Sequence, residues 1–249
     1  MKFSIITAVY NNVNEIGTAI NSVLSQTYND IEYIIIDGGS DDGTIDVISS
    51  YGNKIAHFIS EPDKGIYHAI NKGLSIATGD VIGLLHSDDM FCNPEIIEKI
   101  AEIFEICNCD AVYGDLEYVS KTNIFKVIRF WKSAPFDFTK FKKGWMPAHP
   151  TLFIKKKVYD QSGRYDTNFK ISADYDFILR TLPGGTLKCQ YLPMVITRMR
   201  SGGTSNKNLK NILRKSYEDW LVLRKNNIGG MMVLIRKNTS KLGQFILKK

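Results

Sequence analysis

Two adjacent carboxylates, Asp88 and Asp89, follow directly on the apolar run Val81-Ile82-Gly83-Leu84-Leu85. Neighbouring carboxylates repel one another unless positive charge lies between or beside them. A divalent cation, Mn²⁺ or Mg²⁺, meets that need, and magnesium is commonly held by one or two carboxylates with substrate phosphates completing its shell. A helix cap is the alternative use of this pair, but Asn93, beside Pro94, is better placed for that. A second polar cluster, Asp37-Gly38-Gly39-Ser40-Asp41-Asp42-Gly43-Thr44, ends another apolar run, 31–36. Its glycines let backbone approach a ligand closely. Asp37 ends the strand and is the ligand-facing candidate, while Asp42 or Thr44 can cap the helix that follows. A dinucleotide loop would need G-x-G-x-x-G after the first strand. That position reads Thr7-Ala8-Val9-Tyr10-Asn11-Asn12-Val13, without glycine, and no Walker A loop is present.

The elements that must position these residues alternate in type. Strands are expected at Phe3–Val9, 31–36, 56–59 and 81–85, and helices at 11–26, 44–51, 66–77 and 94–107. Near-continuous apolar strands between amphipathic helices imply an α/β fold, with a Rossmann-like, mostly parallel central sheet and helices on both faces. In open α/β sheets ligands bind outside the carboxyl ends of the strands. The clusters at 10–12, 37–42, 61–65 and 86–89 should therefore converge on one rim. The second half is less regular. Strands are expected at 111–113, 117–119, 124–130, 150–154 and 187–196, a loop at 136–146, a helix at 174–181 and a flexible stretch at 198–208.

Taken together, these stretches resemble the family-2 glycosyltransferases, inverting nucleotide-sugar enzymes of GT-A fold. The resemblance rests on Ser4–Asn11, on the 37–44 cluster, on Ser60-Glu61-Pro62-Asp63-Lys64-Gly65-Ile66-Tyr67 with Asn71-Lys72-Gly73, and on Ser87-Asp88-Asp89. It continues through His149-Pro150-Thr151-Leu152-Phe153, Ser172-Ala173-Asp174-Tyr175-Asp176-Phe177 and Arg200-Ser201-Gly202-Gly203-Thr204-Ser205, in the family's order. The resemblance implies that Thr7, Val9 and Tyr10 line a nucleobase pocket and that Asp37 faces base or ribose. It places Asp63 and Lys64 near base and diphosphate, and Asn71 in the donor site. Asp88 would contact ribose or metal-bound water, and Asp89 would bind the metal. Asp174 would be the general base, with a helix N-cap as its alternative role, and Asp176 ranks behind it. Arg200, with Arg198, Ser201, Thr204 and Ser205, could fold over the donor as a lid. His149 is expected near the diphosphate or the acceptor, and Trp145 and Met146 at the acceptor. Many relatives carry a second acid directly after the position of Asp37, where it contacts uracil. Here that residue is Gly38, which leaves the base open.

The implied reaction moves a hexose or N-acetylhexosamine, from a donor expected to be UDP-linked, to a hydroxyl of a lipid-diphosphate-linked saccharide in bacterial surface-polysaccharide assembly. A sugar nucleotidyltransferase would need a basic, glycine-rich N-terminal loop, and none is present. A non-catalytic binding module would have no use for Asp88, Asp89 and Asp174 together. The expected organisation is a catalytic domain over 1–206, donor half 1–115 and acceptor half 116–206, followed by a basic helical tail over 207–249. That tail holds eleven lysines and arginines against only Glu218 and Asp219, a net +9, which leaves −3 for the rest of a chain of net +6. Such a tail suits an anionic membrane surface. No nucleic-acid motif accompanies it. Four scattered cysteines, no signal peptide and no apolar run of about 20 residues point to a cytoplasmic protein, peripheral on the inner membrane face.

Overall fold

The computed structural model describes residues 1–182, 187–202 and 209–240. The expected domain boundary at 206, the lid residues Thr204 and Ser205, and the tail beyond 240 lie outside the described residues.

Four strands, β1 (Phe3–Val9), β2 (Ile31–Asp37), β3 (His57–Ser60) and β4 (Val81–Leu84), form a parallel block in the order β3-β2-β1-β4. Every residue of β1 is buried, and alternation sorts its side chains. Phe3, Ile5 and Val9 pack on one face with α1 (Ile16–Leu24) and α4 (Ile96–Cys107). Ile6 and Ala8 pack on the other with α3 (Ile66–Ile76). The short α2 (Thr44–Ser49) completes the first layer through Ile48. The remaining strands are β5 (Met90–Phe91), β6 (Ala111–Val119), β7 (Val127–Trp131), β8 (Phe153–Lys155) and β9 (Cys189–Arg200). They extend the sheet as β4-β8-β6-β9-β5, with β7 on the far end of β6. Here β4/β8, β6/β8, β6/β7 and β5/β9 are antiparallel, and β9 runs parallel to β6. Helices α5 (Lys156–Ser162) and α6 (Ala173–Thr181) precede β9, and α7 (Leu209–Lys225) and α8 (Met231–Ser240) follow it. Val222, Leu223, Val233 and Leu234 join Tyr175, Phe177 and Leu179 in the core on the α3 face, so this part of the basic tail is packed into the molecule.

Several element boundaries differ from the sequence reading. The first helix starts at Ile16 rather than at 11. Asn11 has a φ of +48°, in the left-handed region, and the N–H groups of Asn11, Asn12 and Val13 are taken by Ser40 Oγ, Thr44 Oγ1 and Asp42 Oδ2 across the rim, which holds this segment in a turn. The expected strands 111–113 and 117–119 are one strand, β6, carried through Gly114. A side chain at Gly114 would stand 2.7 Å from the Met194 carbonyl of β9. The strand expected at 124–130 is confined to β7, and a short 3-10 turn, Phe138–Lys143, interrupts the expected loop 136–146. Arg198 and Arg200, expected in a flexible stretch, lie in β9, where Met90↔Arg198 pairing with β5 holds them.

At the amino ends of the parallel strands, away from the rim, the Glu32 carboxylate is buried. It accepts from the Ser4 hydroxyl, the Thr78 N–H (2.8 Å) and hydroxyl (2.6 Å), and Lys2 Nζ (2.9 Å). Burial pushes its pKa up, but these donors outweigh it and hold the group at about 2. A carboxyl whose folded pKa is depressed stabilises the fold above its unfolded pKa, near 4.5, and loses that contribution as pH falls toward 2. At 1.36 kcal/mol per unit the contribution is about 3 kcal/mol at neutral pH. Urea unfolding should show Glu32→Gln losing about that amount at pH 7. The gap to the parent should close between pH 4.5 and 2.

Candidate active site

The carboxyl ends of β1 to β4 open into a cavity of about 1790 Å³. Val9, Tyr10, Asp63, Asp88 and Arg200 line it, as do His149, Trp145, Met146 and Asp174 from the second half of the chain. Thr7, Asp37, Lys64, Asn71, Asp89 and Asp176 do not line it.

Those six have other surroundings. The Thr7 hydroxyl is fully buried, 3.1 Å from that of Tyr33. Asp37 is fully buried as well. Its carboxylate accepts from the Gly39 and Ser40 N–H groups (3.0 and 2.9 Å), the Ser40 hydroxyl and the Ser60 hydroxyl (2.7 Å). It therefore shapes the turn after β2 and ties it to β3. Asn71 bridges α3 to the backbone of Tyr165 by paired bonds of 2.8 and 3.0 Å. Asp176 is fully buried against Arg180 (3.2 Å), Lys225 (3.1 Å) and Asn226 (3.1 Å). The expected acceptor or diphosphate contact by Asp176 thus gives way to a packing role, because the i+2 position on α6 points into the core. Lys64 sits beside a small cleft next to Thr167 and Phe169.

Gly38 also acquires a physical role. A Cβ there would meet Asp63 Oδ2 at 3.0 Å and the Tyr10 ring at 3.3 Å. The missing side chain leaves room for Asp63 and Tyr10, both cavity-lining, to lean together over the end of β2.

Asp89 is fully buried below the rim. Its Oδ1 accepts the Arg200 N–H at 3.3 Å, while its Oδ2 has no partner. Burial, reinforced by the neighbouring Asp88 charge, pushes its pKa well above the usual carboxylate range. Arg200 straps the same loop, donating from Nη1 to the Asp88 carbonyl (3.0 Å) and from Nη2 to Thr18 Oγ1 (3.3 Å). A buried carboxylate oxygen without a partner, next to a second carboxylate that faces the cavity, is the donor set a hard divalent cation fits. No group of three or more His, Cys, Asp or Glu side chains placed to hold a metal ion occurs among the described residues, and Asp88 and Asp89 would be the residues that hold one here.

Asp174 is in the first turn of α6 and partly open to the cavity. Its Oδ2 lies 3.0 Å from His149 Nδ1, and its Oδ1 accepts the Tyr67 hydroxyl at 3.0 Å. Burial lowers the His149 pKa to about 4 against the pull of Asp174. The His86 ring stands edge-to-face with that of His149, with centroids 6.2 Å apart. Burial pushes Asp174 upward, but His149, Lys237, the Tyr67 hydroxyl and Lys215 outweigh it and hold the carboxyl below its ordinary value. Asp174 is thus an ionised, oriented carboxylate facing the cavity, chemically suited to take a proton from a hydroxyl placed there. Asp174 is not the cap expected as its alternative role, because Ser172 holds the N-cap position and Asp174 lies inside the first turn, and the segment before α6 is held by other residues.

Sequence reasoning missed those residues. Glu218 of α7 accepts the N–H groups of Lys170, Ile171 and Ser172 at 3.1, 2.8 and 3.0 Å. Asp219 accepts the Ser172 hydroxyl at 2.8 Å and pairs with buried Lys237 Nζ of α8 at 2.8 Å. One signal was present in the sequence. Glu218 and Asp219 are the only acids in an otherwise basic tail. Tyr67 was visible only as part of a motif.

Residues 4–162 match the model of glycosyl transferase family 2. An uncharacterized glycosyltransferase of Mycobacterium tuberculosis is 33% identical over 179 residues, 71% of this chain and 67% of its own. A PGL/p-HBAD biosynthesis glycosyltransferase of Mycobacterium bovis is 28% identical over 211 residues, 82% of this chain and 79% of its own. The fold is similar to that of S. aureus TarS in complex with UDP, with a TM-score of 0.68 at 18% identity over 99% of this chain and 71% of that one. A mannosyltransferase of Pyrobaculum calidifontis, in complex with GDP-Man and Mn²⁺, gives 0.68 at 15% identity over 98% and 73%. With the family model spanning the parallel block, both rim carboxylates and His149, the chain belongs to glycosyl transferase family 2 and carries the GT-A fold.

Proposed function

We propose that this protein is an inverting glycosyltransferase. It takes a hexose or N-acetylhexosamine from a nucleotide-diphosphate sugar, UDP-linked, and places it on a hydroxyl of a lipid-diphosphate-linked saccharide in bacterial surface-polysaccharide assembly. The observation that carries the reading is the division of the cavity's carboxylates. Asp89 is buried with an oxygen lacking a partner beside Asp88, and Asp174 is held ionised by donors and cations on another element. Two carboxylate sites with opposed surroundings are suited to two different tasks.

Asp88 and Asp89 would hold a divalent cation, Mn²⁺ or Mg²⁺, which when bound supplies positive charge to the departing diphosphate. Tyr10, Val9 and Asp63 would seat the nucleoside, with Asp63 in the room left by Gly38. Arg200, already strapped to the Asp88 carbonyl, adds a guanidinium suited to phosphate. Asp174 accepts the acceptor's proton as its oxygen attacks the anomeric carbon from the face opposite the diphosphate. Trp145 and Met146 offer the acceptor an apolar wall. The solved relatives support the donor class, since TarS is described with UDP and UDP-GlcNAc and the archaeal mannosyltransferase with GDP-Man and Mn²⁺. Among the described residues no helix is long and apolar enough to cross a membrane. Exposed Leu213, Tyr217 and Met232 among the tail's lysines and arginines support a peripheral, cytoplasmic-face location against anionic lipid.

Thermal-shift titration with UDP, GDP, CMP and ADP, each with and without Mn²⁺, tests the donor site. A ligand at 100 times its Kd stabilises by about 2.7 kcal/mol, and UDP should do so only with metal. Asp89→Asn should abolish the metal dependence. A shift with GDP alone would reassign the donor, and no shift with any nucleotide would sink the reading. Turnover is measured as UDP release from UDP-GlcNAc onto an isoprenyl-diphosphate-linked N-acetylglucosamine. Asp174→Asn should bind UDP as the parent does yet lose roughly 10²- to 10⁴-fold in kcat. Unchanged turnover would remove Asp174 from the base role.

A further inference from the structure

The segment that presents Asp174 is not held by its own neighbours in sequence. Ser172 is the N-cap of α6, yet its side chain makes no cap bond to that helix. Its hydroxyl reaches across to Asp219 at 2.8 Å. The backbone N–H groups of Lys170, Ile171 and Ser172 converge on the carboxylate of Glu218, which is 7% exposed and lies 46 to 48 residues further along the chain. The Ile171 carbonyl between them accepts the Tyr67 hydroxyl at 2.7 Å, and Asp174 Oδ1, at 3.0 Å, shares that single O–H. A continuous chain of bonds thus runs from α7, through 170–172 and Tyr67, to the carboxylate that faces the cavity. Asp219 ties the same point to α8 through Lys237, whose Nζ lies 3.2 Å over the Tyr175 ring, next in sequence to Asp174. Gly144, one residue before Trp145, lets α8 come this close. Its φ is +81°, and a Cβ there would stand 2.6 Å from the Lys237 nitrogen.

We propose that Glu218 is a positioning residue for the transfer step, and that α7 and α8 belong to the catalytic apparatus by fixing the loop that aims Asp174. This rests on Asp174 being the base. Three N–H donors gathered on one buried carboxylate set the entry angle of α6. A displacement of about 1 Å at a reacting group can cost about 100-fold in rate, so geometry alone gives this contact catalytic weight. Val9, Tyr10, Asp63 and Asp88 lie on β1 to β4 and their loops, and Arg200 ends β9, all outside this chain of bonds. Glu218 should therefore affect turnover and leave donor binding alone.

The test compares Glu218→Ala, Glu218→Gln, Val222→Ala and Asp174→Asn in the full chain. Val222 is a fully buried apolar residue of the same helix, one turn on, so its truncation loosens α7 without touching the carboxylate cradle. UDP release onto the isoprenyl-diphosphate-linked acceptor, UDP thermal shift and amide exchange at 170–172 are measured for each. For Glu218→Ala the expected result is about 100-fold lower kcat, donor KM within about twofold, an intact UDP shift and faster exchange at all three amides. Glu218→Gln keeps one acceptor oxygen and should recover part of the loss. Val222→Ala should keep kcat and slow exchange at 170–172. Equal kcat loss in Val222→Ala and Glu218→Ala at matched melting temperature would overturn the proposal, as would slow exchange at 170–172 in Glu218→Ala. Full turnover by Asp174→Asn would instead break the base assignment, a separate failure.

Discussion

The parallel block β3-β2-β1-β4 imposes the constraint from which the site follows. β1 is buried along its whole length, and β2 beyond its first residue, with helices on both faces. Their backbone groups are consumed by neighbouring strands, and their side chains are mostly apolar. A polar ligand finds no partner there, since an unpaired polar group in such a core is costly. Chemistry is left to the strand ends. The buried polar residues within the block make the same point. Thr7 is matched with Tyr33, Asp37 with four donors of its own turn and of β3, and Glu32 with Ser4, Thr78 and Lys2.

At the rim, similar carboxyl groups are given different properties by their surroundings. Asp89 lies next to another acid with one oxygen lacking a partner, and burial with that neighbouring charge pushes its pKa upward. Asp174 faces the His149 ring, a tyrosine hydroxyl and two lysines, which favour its charge. Desolvation and like charge govern the first, hydrogen bonds and opposite charge the second. The sheet supplies Asp88 and Asp89 directly from β4, whereas Asp174 comes from α6 on the other half of the molecule.

The C-terminal helices explain how that second half is kept in register. Among the described residues of the tail most lysines and arginines are exposed, but its two acids turn inward and are buried. One gathers three backbone N–H groups and the other a hydroxyl and a lysine. Buried charges persist where they are paired and hydrogen-bonded. A segment whose composition suits an anionic surface thus also serves as a brace for the loop before α6.

Apolar runs and turn clusters determined the parallel block, its helices on both faces and the rim that gathers Tyr10, Asp63 and Asp88, because strand burial and period are local properties of the chain. The Asp88-Asp89 pair stood out as residue types at a strand end, whereas Asp174 and His149 drew attention through the family resemblance. Local pattern could not separate residues that face the cavity from those beside them. Asp37, Asn71 and Asp176 share motifs with cavity residues, yet they are spent on a turn, on Tyr165 and on a buried ion pair. Nor could it join Glu218 to residues 170–172, or carry β6 through Gly114 against β9. Those pairings span 46 to 48 residues in the first case and about 80 in the second, and only the packed tertiary structure brings the partners within hydrogen-bonding reach.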